Sequence, residues 1–189
     1  MFGGHYCDIY DPTVEASYIN LINVDGQLCN LVILDTGGSK EYKGFRDQWI
    51  ENSDAIILVY SVTENQSFHD TQEFYKQIQR TNAKIPVVLV GNKMDQLADR
   101  KVSRKEGIIL AQGFGSPFVE TSALTGQNIQ EVFKHAVRLI RRRHQPEQVK
   151  AGVEPALVFK ASNGRETWLS VFRHKLLSYS CLGHLLASD

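Results

Sequence analysis

Four short runs hold the residues of this chain that could do chemistry. The first is Asn92-Lys93-Met94-Asp95. An Asp at its fourth place can accept from two adjacent donors, the N1–H and N2 amino group of guanine, a pair that adenine does not present. Asn92 can bond the other edge of a purine, and the aliphatic stem of Lys93 can lie along the ring. In the second run, Glu120-Thr121-Ser122-Ala123-Leu124, a backbone N–H at Ala123 could reach the guanine O6. In the third, Asp35-Thr36-Gly37-Gly38, Asp35 can hold Mg²⁺ through water, and Gly38 can offer an unobstructed N–H to a terminal phosphate. The fourth, Tyr10-Asp11-Pro12-Thr13, supplies a Thr13 hydroxyl and carbonyl for the same metal and phosphate. Taken singly, each run is also what an ordinary polar turn looks like.

The elements that must position these runs read as an α/β domain. Ser17–Val24 and Gln27–Leu34 flank Asp25-Gly26, a strong hairpin signal because both residues tolerate positive φ. A Gly-rich break leads to a polar helical stretch near Lys40–Asn52. Ala55–Tyr60 and Ile85–Val90 are apolar on both faces, as strands inside a parallel sheet are. Thr63-x-x-Gln66 and Ser103-x-x-Glu106 are cap signals for the helices between strands, the second helix stopping at Gly113-Phe114-Gly115. Pro117–Glu120 is a short strand. Ile129, Val132, Phe133, Ala136, Val137 and Ile140 form one apolar helical stripe that ends in Arg141-Arg142-Arg143. Alternating strands and helices predict a three-layer α/β sandwich with a mostly parallel sheet, whose ligands bind at the carboxyl ends of the strands.

Composition narrows the function. Among 189 residues, 21 Lys and Arg balance 21 Asp and Glu, so no basic excess points to a nucleic-acid partner. With 42% hydrophobic residues, wholesale disorder is excluded. The longest apolar run, Ala55–Tyr60, falls far short of the ~18 residues that suggest a membrane span, and the start carries no signal-peptide pattern. Cys7, Cys29 and Cys181 form no C-x-x-C pair and suit a reducing cytoplasm.

In this order and at these separations, the four runs resemble the Ras-type small GTPases over about Tyr6 to His144. Asp8–Tyr18 resembles the switch I and effector segment, Leu34–Tyr42 with Arg46-Asp47-Gln48 resembles switch II, and Asn92–Asp95 and Glu120–Ala123 resemble the two guanine-reading loops. The resemblance implies a P-loop-NTPase-like small G domain, GTP and GDP with Mg²⁺ as ligands, GTP hydrolysis, and a signal-transduction switch whose two loops respond to the γ-phosphate. Carried over by position, the nucleotide contacts are Tyr6, Thr13, Asp35, Gly38, Asn92, Lys93, Asp95, Ser122, Ala123 and Leu124. Thr13 and Asp35 serve the metal. Tyr10, Asp11, Pro12, Thr13, Val14, Glu15, Ala16, Ser17 and Tyr18 form the surface for effectors, with exchange factors and GTPase-activating proteins as further partners. The implied place is the cytoplasm, often the inner face of the plasma membrane.

The chain departs from the pattern in four ways. Only five residues precede Tyr6, and none of the 14 glycines is followed by Lys, so G-x-x-x-x-G-K-[ST] is absent from the sequence. The expectation is a domain lacking the first strand, P-loop and first helix, as a partial reading of a small-GTPase gene or else a genuine product without them, with a gap at the sheet centre, poor stability and impaired nucleotide handling. Ser39 stands at the usual catalytic Gln position and is too short to orient water, so no catalytic residue is assigned. Ala16 replaces a common acidic effector residue, and no C-a-a-X box closes the chain. Two function classes follow: a Ras-like GTPase, or a non-catalytic pseudo-GTPase or decoy acting through the switch I segment.

Residues 1–145 are expected to form the partial G domain and 146–189 a poorly ordered, atypical tail, loosely helical over Glu166–Leu177. The competing expectation is that the tail fills the central gap, with residues 156–160 as a parallel strand between Gln27–Leu34 and Ala55–Tyr60 and a helix behind it.

Overall fold

The computed structural model describes residues 15–37, 43–144 and 172–180. In chain order the elements are β1 (Glu15–Val24), β2 (Gln27–Gly37), α1 (Lys43–Glu51), β3 (Ala55–Ser61), α2 (Asn65–Asn82), β4 (Val87–Asn92), α3 (Arg104–Phe114), β5 (Phe118–Glu120), α4 (Ile129–His144) and β6 (Phe172–Ser180). β1 and β2 form the expected hairpin, with Asp25 at φ 55° and Gly26 at φ 81°, the positive pair that a two-residue turn between twisted strands requires.

The sheet has the order β1-β2-β6-β3-β4-β5. Only β1 is antiparallel to its neighbour; β2, β6, β3, β4 and β5 all run the same way, so their carboxyl ends share one edge. One face packs Leu34, Ile56, Leu58, Tyr60 and Leu89 against Trp49 and Ile50 of α1, Phe74 and Ile78 of α2, and Ala111 of α3. On the other face Leu31, Ile33, Ala55, Ile57, Val88 and Val90 meet Val132, Phe133, Ala136, Val137 and Ile140, the stripe of α4. Each large aliphatic side chain buried this way contributes about 1.5–3 kcal/mol. The predicted three-layer α/β architecture is the observed one.

Three expectations need correction. The central gap does not exist: β6 lies between β2 and β3, parallel to both, pairing over Cys29–Gly37 on one side and Ala55–Val59 on the other. Over Phe172–Leu177 the expected helix is therefore strand, because two open ladders offer that backbone more hydrogen bonds than a weak apolar periodicity can. Residues 156–160, expected in this slot, lie outside the described residues. The Thr63 cap is also absent. α2 starts at Asn65 with Glu64 as its cap residue and no side-chain cap bond, while Thr63 is buried and its hydroxyl pairs with Ser61 Oγ at 2.8 Å.

The Ser103–Glu106 capping box is present in both directions, and Gly115 ends α3 in the left-handed conformation at φ 64°. Among the described residues, no helix is long and apolar enough to cross a membrane.

Candidate functional site

Two of the four chemistry-bearing runs follow neighbouring strands and are laced together. β4 ends in Gly91-Asn92, and β5 ends in Glu120, aligned beside Gly91. Thr121 N–H donates to the Gly91 carbonyl at 2.9 Å, and Met94 N–H donates to the Thr121 carbonyl at 3.0 Å. Asn92 is buried, and its Oδ1 accepts from both Thr121 Oγ1, at 3.1 Å, and the Ala123 N–H, at 3.0 Å. Asn92 thus ties the two loops rather than offering that oxygen to a ligand. The Ala123 N–H, expected to face a base, is committed to the tie.

Lys93 takes φ 66°, a conformation that costs a side-chain-bearing residue about 1–2 kcal/mol. The flanking bonds hold it there, including Gln96 N–H to the Lys93 carbonyl at 3.0 Å. Ser122 is buried, and its Oγ accepts from Thr125 N–H at 3.1 Å, closing the second loop below Leu124, which is exposed. Asp95 is exposed. Among the described residues, no side chain pairs with its carboxylate.

Sequence reasoning missed the groups that brace this pair of loops. Arg100 grips Glu120 in a two-pronged ion pair, 2.6 Å and 3.3 Å, with the Glu120 side chain only 8% exposed. Asn128 Nδ2 donates to the Glu120 carbonyl at 2.8 Å from a left-handed residue at φ 60°. An Asn just ahead of an apolar helical stripe was a usable signal. Arg100 gave none, since its partner lies 20 positions away. Behind the loops, Tyr60 is fully buried and burial pushes its phenol pKa up. Its ring stacks parallel to Phe118 at 6.4 Å, and a Cβ on Gly107 would come within 2.5 Å of its hydroxyl.

The third run is placed separately. Asp35 sits near the carboxyl end of β2, beside Ser178 of β6 in the ladder. Its side chain is partly buried, and burial holds its pKa above the ordinary aspartate value. Among the described residues no side chain donates to it. A partly buried carboxylate at the ligand edge of a parallel sheet, to which no described side chain donates, suits a hard divalent cation, so the residue fits the implied Mg²⁺. Tyr6, Thr13, Gly38 and Ser39 lie outside the described residues, as do Tyr10–Val14. Of the expected effector surface, Glu15–Tyr18 open β1, the outer strand, and Ser17 and Tyr18 are exposed.

A family model described as the Ras family matches residues 2–142. Ras-like protein 1 of Pyricularia oryzae is 39% identical over 161 residues, spanning 75% of this chain and 67% of that protein. Protein ras-2 of Neurospora crassa is 38% identical over 165 residues, 76% of this chain and 72% of its own length. Ras-like protein B of Aspergillus fumigatus is 37% identical over 169 residues, covering 76% and 71%.

Proposed function

The chain belongs to the Ras family, and from that premise we propose that the laced Asn92–Asp95 and Glu120–Leu124 loops seat a guanine base, with Asp95 as its reader. Membership carries a Ras-like small-GTPase signalling function, with guanine nucleotide, regulators and effectors as partners. The observation that supports the assignment is the contrast around Asp95. Asn92, Thr121 and Ala123 are committed to one another and the Ser122 hydroxyl to Thr125, which leaves the exposed Asp95 carboxylate as the acceptor facing outward. Lys93, held at positive φ, offers its stem to the ring.

Asp35 and Thr13 would hold Mg²⁺, which when bound offsets phosphate charge, and the Gly38 N–H would serve the γ-phosphate. With Ser39 at the water-orienting position, hydrolysis is slow. The protein acts in the cytoplasm. Tyr10–Tyr18, entering β1, meets effectors.

The second reading, a non-catalytic decoy that works through Tyr10–Tyr18, is favoured by the exposure of Ser17 and Tyr18 on the outer strand β1. Titration of fluorescent GDP separates the two readings: micromolar or tighter binding supports the GTPase and sinks the decoy. Asp95→Asn should then weaken GDP roughly tenfold or more and shift preference toward xanthosine diphosphate, whose extra carbonyl needs a donor. An unchanged base preference removes Asp95 from the site.

A further inference from the structure

The six-stranded sheet ends in two unlike edges. On one side β5 is only three residues long, a common way for a natural sheet to leave an edge unpaired. On the other side β1 runs for ten residues, Glu15–Val24. Open edges are normally guarded by charged side chains, proline or a bulge. Over Ser17–Val24 the sequence holds no charged residue, no proline and no glycine. There is no bulge either, because the register with β2 runs unbroken from Glu15↔Thr36 to Val24↔Gln27.

The side chains along this edge are uncovered as well. Ile19 is 68% exposed and Leu21 59%, neighbours on one face of the strand, and Leu28 of β2, 49% exposed, shares that face opposite Asn23. Tyr18, on the other face, is 51% exposed. The main chain is set to match. In a hairpin closed by two residues the flanking pair, Val24 and Gln27, exchanges its bonds, and the pattern alternates from there. The N–H and C=O groups of Tyr18, Asn20 and Ile22 thus turn to β2, and those of Ser17, Ile19, Leu21 and Asn23 turn outward.

We propose that β1 is a self-association surface: two copies of this chain join edge to edge, β1 antiparallel to β1, about a two-fold axis at Asn20. The partner this edge selects is an uncharged strand with aliphatic side chains at alternate positions, and β1 itself is such a strand. With Asn20 opposite its own copy, Ile19 meets Leu21 and Tyr18 meets Ile22, each pair occurring twice, and the two outward main-chain rows face each other. A shift of two residues either way sets Asn20 against Tyr18 or Ile22 and loses apolar pairs. A shift of one sets an outward row against an inward one. The paired stretch, Ser17–Asn23, brings no like charges together. A contact made by one strand from each copy is small, and small interfaces are reversible ones.

Sedimentation equilibrium of the full chain should show a reversible dimer with a Kd of roughly 1–100 μM. Ile19→Lys places a charge in the seam at an exposed position. It should weaken the dimer at least roughly tenfold while the circular dichroism spectrum stays that of the unmutated chain. A chain that stays monomeric up to ~500 μM, or a dimer that I19K leaves intact, overturns the proposal. A second measurement reads the register and does not depend on I19K. Asn20 opposite itself is a pair without main-chain bonds, whose Cα atoms lie about 4.5 Å apart, within reach of a disulfide. Asn23→Cys would hold its two thiols about 20 Å apart along the seam and serves as the control. Mild air oxidation should link Asn20→Cys into a covalent dimer well above the level of N23C and of the unmutated chain. No link in N20C, or equal linking in all three, overturns the proposal.

Discussion

β4 and β6 are both parallel strands with a neighbour on each side, yet they are built on opposite principles. β4 is Val87-Val88-Leu89-Val90-Gly91-Asn92, buried at every position, and it hands its last residue directly to the loops proposed to read the base. β6 is a mixed strand that fills a position set by its neighbours, and its Ser178 lies beside Asp35 in the ladder. The half of the ligand edge proposed to read the base is thus specified by its own residues and cross-braced. The half proposed for the metal is specified by its surroundings. The difference teaches that two halves of one site can carry different tolerances to mutation.

The largest effect should come from cutting the brace. Asn92→Ala leaves the Ala123 N–H and the buried Thr121 hydroxyl without their acceptor, at about 1–3 kcal/mol for each group left unpaired. Urea titration should show the midpoint falling by an amount equivalent to at least ~2 kcal/mol, with guanine-nucleotide affinity falling alongside. A shift no larger than that of an exposed-site control would mean that the two loops hold each other without Asn92.

Next in size is Gly107→Ala. The new methyl would lie 2.4 Å from the Phe118 ring and 2.5 Å from the Tyr60 hydroxyl, both on the base-reading side. Overpacking of this kind costs about 1–3 kcal/mol, read as a lower thermal midpoint. Gly91→Ala, at 3.0 Å from the same hydroxyl, should cost less, and the ordering of the two variants is the check.

The smallest effect falls on the metal side and has the opposite sign. Burial raises the Asp35 pKa in the folded chain, so between the ordinary aspartate value of 3.8 and the raised one the folded state binds more protons than the unfolded state. Stability from this group therefore declines as pH rises through that window, and the cost of the buried charge is fully present above it. Asp35→Asn should raise the melting temperature of nucleotide-free protein at neutral pH and flatten that part of its pH profile. A lower melting temperature at neutral pH would show that the carboxylate is stabilised by a partner.

The same contrast sets what could be read in advance. Ala55–Ser61, Val87–Asn92, the Ser103–Glu106 box and the α4 stripe each carry their own pattern, and each formed where the residues say. Asn92-Lys93-Met94-Asp95 was visible as a run, but the use of the Asn92 oxygen was not, because its partners arrive from a loop about thirty positions later. The Arg100–Glu120 clamp was hidden for the same reason. β6 was the least legible element. Its Phe172, Leu176 and Leu177 recur at helical spacing, and what selects the strand is the pair of ladders that receives it. Thr63 misled because a cap signal is local, while its hydroxyl is claimed by Ser61.

The position of β6 also sets a timetable. Cys29 and Phe172 meet in one ladder although they lie 143 residues apart in the chain. During translation at roughly 5–20 residues per second, β2 and β3 would emerge well before their shared partner, a delay on the order of five to twenty seconds. Contacts of such long range also slow folding once the chain is free. The nascent protein thus spends its first seconds with two open strand edges at the centre of its sheet, and those edges are where a ribosome-associated chaperone has most reason to act.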